Sequence, residues 1–142
     1  MTDPLAGPVG AEGPVDLGPE IEFIVELGRG SRSMVYRVRH RGGGHDGEYA
    51  VKLLRDSDAD RAEMVAFRRE AALLACLDHP GVTRIHEVGE AVGRPYLIME
   101  LVSGESLSQA LVAGPLPESV AVDLIRQVAD VLVLRRVSSS GV

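Results

Sequence analysis

Lysine is almost missing from these 142 residues. Lys plus Arg total fifteen, and Lys52 is the sole lysine, so the other fourteen are arginine. Tryptophan is absent, aromatic residues make up 4%, and Cys76 stands alone. A single thiol excludes an internal disulfide, and its expected role is that of a small buried side chain. With so few aromatics, the core has to be built from aliphatic residues. Positive charge is not in excess either: the formal net charge is −6. That argues against a nucleic-acid partner, because binding a phosphate backbone needs a basic face. No apolar run approaches the ~20 residues that span a bilayer. The first residues lack the basic-then-apolar pattern of a secretory signal, so a cytoplasmic location is expected.

What is present fits one ordinary domain or part of a larger one. Hydrophobic residues at 45% and charged residues at 25% are values of a globular protein. Residues 1–20 hold four Pro and four Gly and no aromatic. They read as a flexible leader, with too little apolar surface to offset ordering entropy, and order is expected to begin at Ile21.

The segments IEFIVELG and MVYRVRH are rich in β-branched and aromatic residues, and a glycine-bearing turn separates them. A second loop, RGGGHDG, leads to a third strand, EYAVKLLR. The acidic run Asp56, Asp58 and Asp60 lacks the glycine and terminal Glu of a calcium loop. It supplies N-cap candidates for a helix from about Arg61 to Leu77, which Pro80 terminates. VTRIHEVGE and RPYLIMELV then form a hairpin around Gly93. Two helices follow: a short one over ESLSQALVA and a longer one over residues 118–134, with Val120, Leu124, Val128 and Leu132 on one face. The four histidines show no metal-ligand spacing.

Two charges need an explanation. Phe67, Ala71, Leu74 and Leu77 share one face of the first helix, and Glu70 lies on it too. An unpartnered carboxylate on a core-facing stripe costs several kcal/mol. Lys52 emerges from a strand whose neighbours are Tyr49, Ala50, Val51, Leu53 and Leu54. Glu70 at the edge of its stripe, and Lys52 snorkelling to water, would each avoid the penalty separately. A Lys52–Glu70 pair across the strand–helix interface accounts for both at once. An ammonium suits that place, because a compact charge on a slim stem can meet a carboxylate and phosphate oxygens together.

These segments, in this order, resemble the N-terminal lobe of the protein kinases, in particular the bacterial eukaryotic-like Ser/Thr kinases. The family's G-x-G-x-x-G-x-V loop corresponds to Gly28, Gly30, Ser33 and Val35, with Ser33 in place of the third glycine. Its V-A-I-K strand corresponds to Tyr49, Ala50, Val51 and Lys52, and FRREA carries Glu70, the partner of that lysine. YLIMELVSGESL looks like the fifth strand and hinge. The resemblance covers about residues 21–133.

Several expectations follow from the resemblance. The fold is α+β: a five-stranded antiparallel sheet with one packed helix (residues 21–102, lobe and hinge), then the first two helices of an incomplete C-lobe (103–134). Residues 135–142 form a tail outside the family pattern. Lys52, held by Glu70, would bind the α- and β-phosphates of ATP. Leu27, Gly28, Gly30, Ser33, Val35 and Ala50 would cover the nucleotide. Met99 would be the gatekeeper, Glu100 and Val102 would offer backbone groups to adenine, and Ser106 would lie near the ribose. A protein substrate and Mg²⁺ belong to the intact family member. The motifs H-R-D-x-x-x-x-N and D-F-G do not occur in ADVLVLRRVSSSGV or elsewhere in the chain. No catalytic aspartate or metal ligand is therefore expected here, and the 142 residues alone are expected to be inactive, as in a truncated gene product. The alternative is a non-catalytic interaction or regulatory module with a kinase-like fold; an unrelated α+β domain with coincidental motifs ranks last.

Overall fold

A computed structural model of the chain describes residues 13–43, 45–55 and 60–139. Asp56 and Asp58, residues 1–12 of the expected leader and residues 140–142 of the expected tail lie outside the described residues.

Five strands form one antiparallel sheet: β1 (Ile21–Arg29), β2 (Ser33–His40), β3 (Gly47–Leu54), β4 (Ile85–Ala91) and β5 (Arg94–Glu100). Their spatial order is β1-β2-β3-β5-β4, so β3 is central and flanked on both sides. Helix α1 (Arg61–Ala75) follows β3, and α2 (Leu107–Val112) and α3 (Glu118–Ser139) follow β5. The expected sheet and its single packed helix are both present.

Period-two alternation divides the core into two layers. On the rear face Met34, Tyr36, Val38, Val51, Leu53 and Ile98 pack together. On the front face Leu54 and Leu97 meet Phe67 and Ala71 of α1, with Met64, Ile85 and Met99 around them. Asp60 starts α1 by accepting a hydrogen bond from the Glu63 N–H, at 2.8 Å. Leu77 falls two residues beyond the end of α1, where Cys76 is the C-cap.

Three expectations need correction. Val15 and Leu17 pack against the rear cluster, and the Gly13 carbonyl accepts a 2.8 Å hydrogen bond from the buried Arg94 guanidinium. Packing therefore starts before Ile21; the leader has few apolar residues, but two of them find a ready apolar face. Cys76 is exposed, because the helix ends there and turns its C-cap outward. The last helix runs on through Arg135 and Arg136 to Ser139, past the expected boundary at 134. Arg, Val and Ser all tolerate helix, and no Gly or Pro intervenes before Gly141.

Helix α3 leaves Val120, Leu124, Val128 and Leu132 exposed. Among the described residues, it shares no extensive packing with the sheet or α1.

Candidate functional site

The front face of the sheet assembles the site by register alone. Val35 lies opposite Lys52, which lies opposite Leu97. One pair along, Arg37 lies opposite Ala50, which lies opposite Met99. Opposed residues share a face, and so do residues two apart along a strand. Val35, Ala50, Lys52 and Met99 are therefore neighbours on one surface. Gly28 pairs with Val35 and extends this surface to β1.

Lys52 Nζ lies 2.9 Å from Glu70 Oε1. Its side chain is 23% exposed, while that of Glu70 is 52% exposed. Both readings of Glu70 thus meet in one geometry: it pairs with Lys52 and also reaches water from the edge of its stripe. Phe67, one turn earlier on α1, sets its ring 5.9 Å from the ammonium, at the outer limit of a cation–π contact. Lys52 is the sole lysine of the chain, and its ammonium lies between a carboxylate and an aromatic ring, partly open to solvent.

The turn between β1 and β2 is anchored from two sides. The Gly30 N–H donates to the Ser33 carbonyl at 2.8 Å, closing the turn on itself. Arg55 donates to the Gly30 carbonyl at 3.1 Å, and its own N–H donates to the Arg32 carbonyl at 2.8 Å. Arg32 pairs with Glu63 of α1 at 3.2 Å. A Cβ added at Gly28 would meet nothing within 4 Å, so the space over that backbone is open. Leu27 sits at a register shift between Glu26 and Gly28, and is half-exposed.

At the far side, the Glu100 N–H donates to the Arg84 carbonyl at 2.9 Å, and its carboxylate accepts from the Arg84 N–H at 3.0 Å. Its amide is thus committed to the sheet. Val102 is exposed in the irregular segment after β5. Ser106 is the N-cap of α2: its hydroxyl accepts from the Gln109 N–H at 3.2 Å, and Gln109 answers by accepting from the Ser106 N–H at 2.7 Å. The hydroxyl keeps its proton free to donate. Val102 and Ser106 are set apart from the sheet residues by the chain segment after Glu100, whereas Val35, Ala50, Lys52 and Met99 are brought together by pairing.

Sequence reasoning passed over Phe67 as a support for Lys52, and over Arg55 and Arg32 as anchors of the glycine turn. Phe67 was visible as the residue one turn before Glu70. The two arginines gave no signal, since nothing in their spacing indicates a partner. Arg37, also on the front face, was missed as well; its Nε donates to Glu48 at 2.9 Å, and this hydrogen bond, the largest cause, holds the Glu48 carboxyl below its ordinary pKa.

The protein kinase domain model matches residues 21–134. The chain belongs to the protein kinase family. Similar kinases include the serine/threonine-protein kinase pkn2 of Myxococcus xanthus, 38% identical over 105 residues, and the serine/threonine-protein kinase PknB of Mycobacterium leprae, 33% identical over 129 residues. These matches take in 73% and 84% of this chain, but only 12% and 20% of the two relatives. Among solved structures, the PknI kinase domain of Mycobacterium tuberculosis superposes with a TM-score of 0.68 at 26% identity, over 87% of this chain and 50% of that one. The chain is thus a partial serine/threonine kinase domain carrying its N-terminal region. It spans a small fraction of the curated relatives it matches. Among the described residues, no helix is long and apolar enough to cross a membrane.

Proposed function

We propose that the front face is the nucleotide-binding face of a serine/threonine kinase lobe. Lys52 holds the α- and β-phosphates of ATP, and Glu70 holds Lys52. The observation that carries this reading is the 2.9 Å Lys52–Glu70 contact on a face that also presents Val35, Ala50 and Met99. The fit to ATP is supported by the open space over Gly28 and by a buried Ala50, whose small side chain leaves room for a flat ring against the strand. Leu27, Gly30 and Ser33 complete the cover over the phosphates. Glu100, through its carbonyl, and Val102 meet the adenine, and Ser106 donates toward the ribose.

In the intact family ATP supplies the phosphoryl group, Mg²⁺ neutralises its charge, and a protein hydroxyl receives it. The residues of this chain bind and orient; none of them is an H-R-D aspartate or a D-F-G metal ligand. These 142 residues therefore bind ATP weakly and transfer no phosphate by themselves, and a cytoplasmic location suits their use of ATP. The second reading, a non-catalytic interaction module, is favoured by the exposed apolar stripe of α3.

The sole lysine makes a decisive experiment available. An amine-reactive ATP analogue can modify only Lys52 and the N-terminal amine. The expected result is ATP-protected labelling of Lys52. Protection confined to the N-terminus, with Lys52 accessible yet unmodified, removes the nucleotide reading. Incorporation of phosphate with Mg²⁺ and ATP, abolished by Lys52→Met, contradicts the claim of inactivity.

A further inference from the structure

Helix α3 is 22 residues long, a rod of about 33 Å. Its flanks differ in what they meet. A Cβ added at Gly81 would stand 3.5 Å from Val131, so that flank lies against the loop before β4. Polar groups take the next flank, where Gln127 donates to Asp123 at 2.8 Å. The barest side is turned away from both. Ile125, about 120° round the helix from Val131, is 70% exposed, against 36% for Leu124. Val122 and Leu132 share its line and are also exposed.

Along that line stand Glu118, Val122, Ile125, Ala129, Leu132 and Arg136, at spacings of four, three, four, three and four. This is a heptad seam, the pattern by which two helices pack knobs into holes. The seam also complements itself when reversed. In an antiparallel pair centred at the level of residue 127, Val122 meets Leu132 of the second copy and Ile125 meets Ala129. At the ends, Glu118 comes opposite position 136 of the second copy, an arginine. Twofold symmetry forms each of these pairs twice.

The alternative orientation fails on charge. A parallel pair in register would set Glu118 on Glu118 and Arg136 on Arg136, so both ends of the seam would carry like charges. Opposed helix dipoles favour the antiparallel pair as well. An apolar stripe alone would accept any apolar surface. The acid at one end and the base at the other select a second copy of the same helix, reversed.

We propose that α3 is a self-association helix, through which two copies of this chain pair antiparallel along the 118–136 seam. The pairing withdraws Val122, Ile125 and Leu132 of both copies from water. It uses no residue of the Lys52 face, so it stands independently of the nucleotide reading.

The test is sedimentation equilibrium of the full chain over about 1–200 μM, spanning an expected dimer Kd of about 10 μM, the weak end of specific association. Salt at about 0.15 M screens the general repulsion of two chains of net charge −6 beyond about 8 Å. Glu118→Arg and Arg136→Glu are each expected to weaken the dimer at least about tenfold, because each sets like charges at both ends of the seam. Mixing the two variants is expected to restore dimers, now heterodimers, since each supplies the charge that the other lacks. Both changes in one chain are expected to restore the homodimer. Ile125→Gln, at an exposed position inside the seam, is expected to leave a monomer over the whole range. A parent that stays monomeric at about 200 μM overturns the proposal, as do aggregates of no fixed size. So do dimers that the charge changes or Ile125→Gln leave intact, or a mixture that does not recover.

Discussion

Replacing Lys52 with Met and Glu70 with Gln, singly and together, separates what their contact does for stability from what it does for a ligand. Met keeps the apolar stem over Phe67 and removes the charge; Gln keeps the shape of Glu and removes its charge. At 2.9 Å the bare attraction is large, but half of the Glu70 side chain is in water. Two charges about 4 Å apart attract by only ~1 kcal/mol in bulk water, and exposed pairs measured by double-mutant cycles give about 0.2–1 kcal/mol. The expected coupling in denaturant melts of the four proteins is therefore below about 1 kcal/mol, and it shrinks further at 1 M salt, where the screening length falls to about 3 Å. Nucleotide capture responds differently: Glu70→Gln is expected to abolish ATP-protected labelling of Lys52, and Lys52→Met to leave only the N-terminal amine to be labelled, while the melts move by a few degrees at most. A coupling above about 2 kcal/mol that salt does not reduce would show the pair to be desolvated and structural, and would refute this reasoning. Zero coupling at low salt would show that the contact adds nothing to stability and matters only to the ligand.

Three further outcomes can be checked. Val92 turns the β4–β5 hairpin at φ 53°, a left-handed conformation that a β-branched residue resists, beside Gly93 at φ 72°; Val92→Asn is expected to stabilise by about 1 kcal/mol in thermal melts, and a destabilised variant contradicts the turn. Burial is the first cause, and the bond to Glu87 the second, that pushes the Tyr96 hydroxyl up to about 12 from an ordinary 10.0. Because the folded value lies above the unfolded one, the stability this hydroxyl contributes is complete below pH 10.0 and lost as pH rises through about 12; alkaline melts of Tyr96→Phe should lack that decline, and a decline equal to the parent's assigns it elsewhere. Deleting the residues after Gly114 removes the exposed stripe of Val120, Leu124, Val128 and Leu132, and is expected to lower light scattering on heating; a monodisperse parent that melts cooperatively and is worsened by the deletion favours the interaction module.

The strands, the glycine turn and the Lys52–Glu70 pair were legible in the chain because each rests on local chemistry. Alternating Met34, Tyr36 and Val38 can only be a strand with one buried face, and a lysine and a glutamate set among apolar neighbours each call for a partner. Period-two and period-3.6 patterns are local, and the family motifs added register between them. What the chain did not disclose are contacts joining distant segments. Arg94 reaching the Gly13 carbonyl, 81 residues away, and Arg55 reaching the Gly30 carbonyl follow from where β3 and β5 happen to end, not from any spacing. The leader was misread for the same reason: Val15 and Leu17 are too few to form a core, but enough to cover one that the sheet has already built. The burial of His40 Nδ1 without a protein hydrogen-bond partner is likewise a tertiary outcome. His40 sits at the end of β2 on the rear face, and only the folded sheet and the leader laid across it withdraw Nδ1 from water.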